Sequence, residues 1–347
     1  MDKSDNQVIR IGIVGAGGNT QGRHIPGLKN VGGIELVRVC NRSTESSRKA
    51  ADQFGFASYT TNWREITDAD DIDAVVIGTW PYLHSPISIA ALEGGKHVMC
   101  EARMAMNGAE AREMLRASRN RPDLTAMVVP SPFTLHVDAT LRRLIAAGYL
   151  GEIVSVDVRG LASDFPNPET PLHWREDRNL SGNNILALGI WYEAIMRWLG
   201  EARKVTAVGQ TVMQSRLSDG VERSISIPDH IDVVAEMYCG AQLHIQLSSV
   251  ALHPGGPDLW IYGTEGVLRM HEGAITGIKR GESALAEIQA EPGESSGWRV
   301  EEEFIGAIRG DEAVKLTTFV DGVRYMEFTD AVTSSLARGV SIPIHSL

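Results

Sequence analysis

The sequence predicts an α/β fold in two parts: a doubly wound parallel sheet, then an α+β domain with a large, mainly antiparallel open sheet. Three observations predict it. Strand-like and helix-like segments alternate over the first 130 residues. A glycine-rich turn follows the first strand. Beyond Pro130 the segments become half-exposed strands that alternate apolar and polar residues.

Val8 to Val14 reads as a buried strand, and a helix runs from the glycine turn toward Asn30 with Pro26 near its first turn. Ile34 to Cys40 is a β-branched strand, followed by a helix from Thr44 to Phe54 that Thr44 could cap. Ala74 to Ile77 is a short apolar strand, and Ser85 to Leu92 a helix stopped by Gly94-Gly95. His97 to Cys100, Asn107 to Asn120 and Thr125 to Val129 add strand, helix and strand. In the second part, Val137 to Ala147 is an amphipathic helix and Ile153 to Arg159 a strictly alternating strand. Asp164 to Pro171 reads as a loop, and Asn183 to Leu199 as a helix closed by Gly200. Val233 to Tyr238, Gln242 to Ser248 and Leu259 to Tyr262 are further strands, with a last helix over Asp321 to Ala337.

A chain of 347 residues is comfortable for two domains, here residues 1–130 and 131–347. A net charge of −11 argues against nucleic acid or an anionic membrane as a main partner. Cys40, Cys100 and Cys239 lie far apart without metal-type spacing, so neither a disulfide framework nor a metal site is expected. The polar N-terminus lacks the apolar core of a signal peptide, and no stretch approaches the roughly 20 apolar residues that span a bilayer. A cytoplasmic location is expected.

The first turn reads Gly12-Ile13-Val14-Gly15-Ala16-Gly17-Gly18-Asn19-Thr20. Gly15 permits the tight turn, and Gly17 lets the backbone approach a pyrophosphate, which the helix N-terminus then meets. Thr20 replaces the third glycine. This turn opens a βαβ series, so the N-terminal domain reads as a Rossmann domain that binds a nicotinamide dinucleotide. The second strand ends Asn41-Arg42-Ser43. A neutral Asn41 where NAD-preferring domains carry an acid, with Arg42 and Ser43 able to meet a 2′-phosphate, tilts the expected cofactor toward NADP over NAD.

Four segments, together with Tyr262-Gly263-Thr264-Glu265-Gly266, resemble the Gfo/Idh/MocA family of sugar and polyol dehydrogenases over nearly the whole chain. They are the Gly15 turn, Thr79-Trp80-Pro81-Tyr82-Leu83-His84, Gly95 to Glu101, and Gly182 to Gly200. The resemblance implies an active site between the domains, a sheet face that supports homodimers or homotetramers, and Thr79, Trp80, His84, Glu101 and Arg175 near the cofactor. It also exposes a departure. The family's fifth strand ends Glu-Lys-Pro, but here Glu101-Ala102-Arg103 stands in its place. The family's helix carries an Asp and, four residues later, a His; here Ala187 and Trp191 match them, and Ala194 stands where a further Asp is often found.

Moving a hydroxyl proton needs a titratable group, which these residues cannot supply. His173, in His173-Trp174-Arg175, is the leading acid/base candidate, and Tyr192 a second, reaching the cleft rim. Glu193, about 200° around the helix from Trp191, faces away. Asn184 could bond a substrate hydroxyl, and Arg103 and Arg175 could hold anionic groups. His253 could line the cleft from the sheet. Trp80, Tyr82, Trp174 and Trp191 suit the apolar faces of a sugar ring. Three functions compete. The first is an NAD(P)-dependent oxidoreductase of a sugar, glycoside or polyol with a non-standard acid/base group. The second is a glycoside hydrolase or lyase that oxidises the sugar transiently with a retained cofactor. The third is a non-catalytic dinucleotide- or sugar-binding protein.

Overall fold

The computed structural model describes residues 8–163, 167, 169–218, 220–252, 256–294 and 297–345. They divide into two units, residues 1–130 with 299–323 and residues 131–298 with 324–347.

The first unit is built on β1 (Ile9–Val14), β2 (Ile34–Cys40), β3 (Ser58–Thr60), β4 (Ala74–Ile77), β5 (His97–Cys100) and β6 (Ala126–Val128). Every pairing is parallel, in the order β3-β2-β1-β4-β5-β6. Ala74, Val75, Val76 and Ile77 are all buried, as expected of a strand covered on both faces. The helices are α1 (Ile25–Val31), α2 (Thr44–Phe54), α3 (Arg64–Thr67), α4 (His84–Glu93) and α5 (Gly108–Asn120). A π-helical turn, Thr20–His24, precedes α1 and puts Thr20 and His24 on the buried side. Ser43, not Thr44, caps α2: its hydroxyl accepts from the Ser46 N–H. Asn107 likewise caps α5 rather than joining it. The short β3 and α3 hold too few residues for periodicity to register.

The second unit contains α6 (Asp138–Ala146), β7 (Ile153–Leu161), α7 (Arg178–Ser181), α8 (Leu188–Leu199), β8 (Ala202–Gln210), the hairpin β9 (Ser215–Ser218) and β10 (Val221–Ser224), β11 (His230–Met237), β12 (Gln242–Ser248), β13 (Asp258–Gly263), β14 (Gly266–His271), β15 (Ala274–Lys279) and β16 (Ala286–Ile288). The large sheet runs β16-β15-β14-β13-β7-β12-β11-β8 and ends on β17 (Ile342–Pro343); only β7 and β12 pair in parallel. Val156 and Val158, Leu243 and Ile245, and Leu259 and Ile261 are buried, whereas Asp157, His244 and Trp260 between them are not, the period-two pattern of a half-covered sheet. The helix expected from Asn183 starts only at Leu188, because Gly182 and Leu186 hold positive φ (65° and 46°), which breaks a helical path. The expected loop at Asp164 to Pro171 falls partly outside the described residues.

Two late helices complete the chain. α9 (Val300–Arg309) belongs to the first unit, where Gly27 of α1 admits it: a Cβ there would lie 2.6 Å from Glu301 Oε2. α10 (Phe319–Arg338) begins in the first unit and ends in the second. Among the described residues no helix is long and apolar enough to cross a membrane.

Candidate functional site

In the first unit the chemistry gathers at the C-terminal ends of the strands, where β1 and β4 leave the sheet in opposite directions. Open α/β sheets bind ligands at such a point. Gly15 has φ +88°, and a Cβ on it would lie 2.6 Å from the Gly78 carbonyl carbon and Thr79 nitrogen, so only glycine fits. Gly18 faces open space, and at Gly17 the nearest atom to an added Cβ is 3.8 Å away. The first-turn N–H groups beyond Gly17 are the ones a helix leaves without internal partners. At the end of β4 the Thr79 hydroxyl is buried without a hydrogen-bond partner among the described residues. An open glycine cradle, helix N–H groups and an orphaned hydroxyl fit a dinucleotide.

Several neighbours brace this turn. Thr20, read from sequence as a cofactor contact, is 1% exposed, and its hydroxyl donates to the Gly15 carbonyl at 3.0 Å. The Asn41 side-chain oxygen accepts from Ala16 N–H at 2.8 Å, and its amide donates to the Ser46 carbonyl. Arg42 is exposed, with its guanidinium 5.6 Å from the Trp80 ring centre. His84, expected beside the nicotinamide, is fully buried. Its Nε2 lies 2.9 Å from the Thr79 carbonyl and its Nδ1 2.9 Å from the Arg103 carbonyl; burial pushes its pKa down, and the neutral ring donates to one of the two. Arg103 is only 4% exposed, which removes it from any open surface, whereas Tyr82 is exposed.

Sequence reasoning missed His24 and Glu301. His24 Nε2 lies 2.8 Å from Glu101 Oε1, and Nδ1 lies 2.5 Å from Glu301 Oε1. Asn19 also donates to Glu101. Burial alone would lower the His24 pKa, but the bonds to Glu101 and Glu301 overcome it and push it up to about 9. Burial opposes ionisation of Glu101, yet the His24 hydrogen bond and charge leave its pKa below the ordinary value.

In the second unit, His173 starts a short 3-10 turn, Trp174–Glu176. Its Nδ1 accepts from Arg175 N–H at 3.3 Å, and its backbone N–H donates to Glu176 Oε2. Arg216, fully buried on β9, pairs with Glu176 at 2.7 Å and donates to the Asn167 carbonyl at 2.5 Å, clamping the turn. Burial and the nearby Arg175 charge lower the His173 pKa, so the ring is neutral at pH 7. The Trp174 ring lies 5.5 Å from His173, with Arg175 stacked on it at 4.2 Å.

Two readings of α8 need correction. Tyr192 does not reach a rim: it is 1% exposed, stacks on Phe328, and accepts the Ala202 N–H at 2.8 Å, and burial raises its pKa. Asn184 lies before the helix, 1% exposed, with its amide donating to the Ser181 carbonyl. Trp191 is 2% exposed and packs on Phe133 with ring centres 4.8 Å apart. Glu193 points into the interior, paired with Arg197 and accepting the Ser131 N–H. His253 lies outside the described residues. Among the described residues no group of three or more His, Cys, Asp or Glu could hold a metal ion.

Comparison with known proteins places this geometry. Residues 9–130 match the profile of the Gfo/Idh/MocA oxidoreductase family, NAD-binding Rossmann fold, and residues 139–269 match the Gfo/Idh/MocA C-terminal domain. The chain is 32% identical over 180 residues to a levoglucosan dehydrogenase of Pseudarthrobacter phenanthrenivorans, a stretch covering 51% of this chain and 46% of that protein. It is 30% identical to a dTDP-3,4-didehydro-2,6-dideoxy-alpha-D-glucose 3-reductase of Streptomyces violaceoruber, over 53% of this chain and 52% of the other. The match thus spans about half the length of these relatives. In fold it resembles a levoglucosan dehydrogenase solved with NADH and levoglucosan: TM-score 0.88, 22% identity, covering 97% of this chain and 99% of that one. The chain belongs to the Gfo/Idh/MocA family, with a Rossmann unit at its N-terminus and a mixed, mostly antiparallel sheet after it.

Proposed function

We propose that the protein is an NAD(P)-dependent oxidoreductase acting on a hydroxyl or ketone of a sugar, glycoside or polyol. The observation that carries this is the glycine cradle at Gly15, Gly17 and Gly18, open to solvent at the switch point of a Rossmann sheet. The names of the relatives, a levoglucosan dehydrogenase and a nucleotide-sugar reductase, support a sugar-like substrate.

A bound nicotinamide supplies the hydride acceptor or donor. The chain's residues bind, orient and move a proton. The N–H groups of Gly17, Gly18 and Asn19 meet the pyrophosphate. Neutral Asn41 removes the repulsion an acid would exert on a 2′-phosphate, and Arg42 and Ser43 receive that phosphate, which favours NADP. The Trp174 face takes the C–H face of the sugar. His173, neutral at pH 7, serves the substrate oxygen. As a base the ring carries its hydrogen on Nδ1, giving up the Arg175 contact, and takes the hydroxyl proton at Nε2 to become an imidazolium; in the reverse direction that imidazolium returns the Nε2 proton to the substrate oxygen. Glu101 and Thr79 line the nicotinamide half.

The exposed face of the large sheet carries a groove of about 420 Å³ and exposed Val208 and Val234, which supports assembly as a homodimer or homotetramer, and the free Cys40, Cys100 and Cys239 suit a reducing cytoplasm, where we place the enzyme. Turnover of anhydro sugars, keto sugars and polyols, followed by nicotinamide absorbance with both cofactors, tests the reading. A His173→Ala variant should lose roughly 100- to 10,000-fold in kcat. No turnover across the panel would overturn the assignment, and tighter NAD than NADP binding would overturn the cofactor preference.

A further inference from the structure

The buried group of His24, Glu101 and Glu301 is not needed to hold a pyrophosphate or to serve a substrate oxygen. Its parts come from three places: the turn after β1, the end of β5, and α9. His24 is 0% exposed, and the side chain of Glu301 is 1% exposed, so both are fixed in the interior. Glu101 keeps 15% of its side chain exposed and is the member with an open edge. One imidazolium between two carboxylates leaves one net negative charge. Ala102 brings no charge to offset it, Asn19 is a neutral donor, and burial keeps His84 neutral.

The place of that charge matters. A doubly wound sheet binds a dinucleotide as two mononucleotides, one on each half, across the C-terminal ends of the strands. β1 and β2 with Asn41 to Ser43 form the adenosine half. β4, β5 and β6 form the other half: β4 and β5 pair side by side up to Ile77 and Cys100, Glu101 follows β5, and Thr79, whose buried hydroxyl has no hydrogen-bond partner among the described residues, follows β4. The nicotinamide ring is a cation when oxidised and neutral when reduced.

We propose that the His24–Glu101–Glu301 group is an electrostatic positioning device: it fixes one negative charge at the end of β5 and so binds the oxidised, cationic nicotinamide more tightly than the reduced ring. This rests on the dinucleotide reading above. A tenfold preference corresponds to about 1.4 kcal/mol, within the range of a charge–charge interaction in a partly buried site. Because the charge is held by buried partners, the preference belongs to the folded protein and not to a mobile side chain.

The test is calorimetric titration of oxidised and reduced cofactor into the wild-type protein, Glu101→Gln and Glu101→Asp. Glu101→Gln should weaken oxidised cofactor about tenfold and leave reduced cofactor nearly unchanged. Glu101→Asp, which keeps the charge, should retain most of the preference. A second readout needs no variant. Glu101, after β5, and Glu301, on α9, are the carboxylates that bond the two His24 ring nitrogens. As pH rises through about 9 the imidazolium is lost, and the wild-type preference for oxidised cofactor should increase. Equal weakening of both forms in Glu101→Gln, or a preference that does not move with pH, would overturn the inference and leave a packing role. Failure of the wild-type protein to bind either form would overturn the dinucleotide reading and this inference with it.

Discussion

His24 and His173 carry the same side chain to opposite ends. His24 is wholly enclosed, but each ring nitrogen meets a carboxylate, so it holds its proton to about pH 9. His173 is half-buried, close to Arg175 and Arg216, and gives its proton up more readily than a free histidine. One stays a cation through neutral pH, between two carboxylates of the Rossmann unit. The other, in the sheet unit, has its pKa lowered, as the proton-transfer role we propose for it requires. Burial alone would make both neutral; the two carboxylates reverse that at His24, whereas Arg175 adds to it at His173.

Removing what holds each ring in place should give the largest effect. Arg216→Met leaves Glu176 buried without its guanidinium, which typically costs about 3–5 kcal/mol. Chemical denaturation should show that loss, with turnover falling because the His173 turn is released. Unchanged stability would mean that the clamp contributes nothing.

Acid and base should separate the two histidines. The folded pKa of His24 lies above its ordinary 6.5, so its stabilisation is complete below that value and is lost as pH rises through about 9. That should remove a few kcal/mol of stability between those limits, and Glu301→Gln should flatten the loss. His173 is shifted the other way, so the acid limb of the rate profile should fall below 6.5. A midpoint above 6.5 would contradict its assigned surroundings.

The smallest effect should be at Tyr192. Losing its hydroxyl in Tyr192→Phe removes one neutral hydrogen bond to Ala202, worth about 1 kcal/mol, and should leave kcat unchanged. A hundredfold loss of kcat would restore it as a catalytic group.

The Rossmann unit was more legible than the sheet unit. Backbone requirements show in sequence: Gly15 is needed because of its positive φ and its contact with Gly78, and the apolar run Ala74 to Ile77 can only be a covered strand. Side-chain destinations are harder. Trp191 is placed by the resemblance and Tyr192 by its angle from Trp191, and neither can tell a rim from an interior when nearly every face of α8 is buried. Asn184 was misplaced because Gly182 and Leu186 turn the chain before the helix begins. Glu301 stands in a run of three glutamates that reads as a solvated face, and nothing local shows that Gly27, 274 residues earlier, opens a place for it. His24 carried one weak signal: it falls on the buried side of the helix that opens after the glycine turn.

Hydride transfer itself gives the most direct test of the account. A sugar or polyol substrate deuterated at its carbinol carbon, incubated with oxidised cofactor, should deliver deuterium to the reduced cofactor in step with ketone formation. His173→Ala should slow that transfer about a hundredfold or more. Product formed without net cofactor reduction, or transfer at an unchanged rate in His173→Ala, would contradict it.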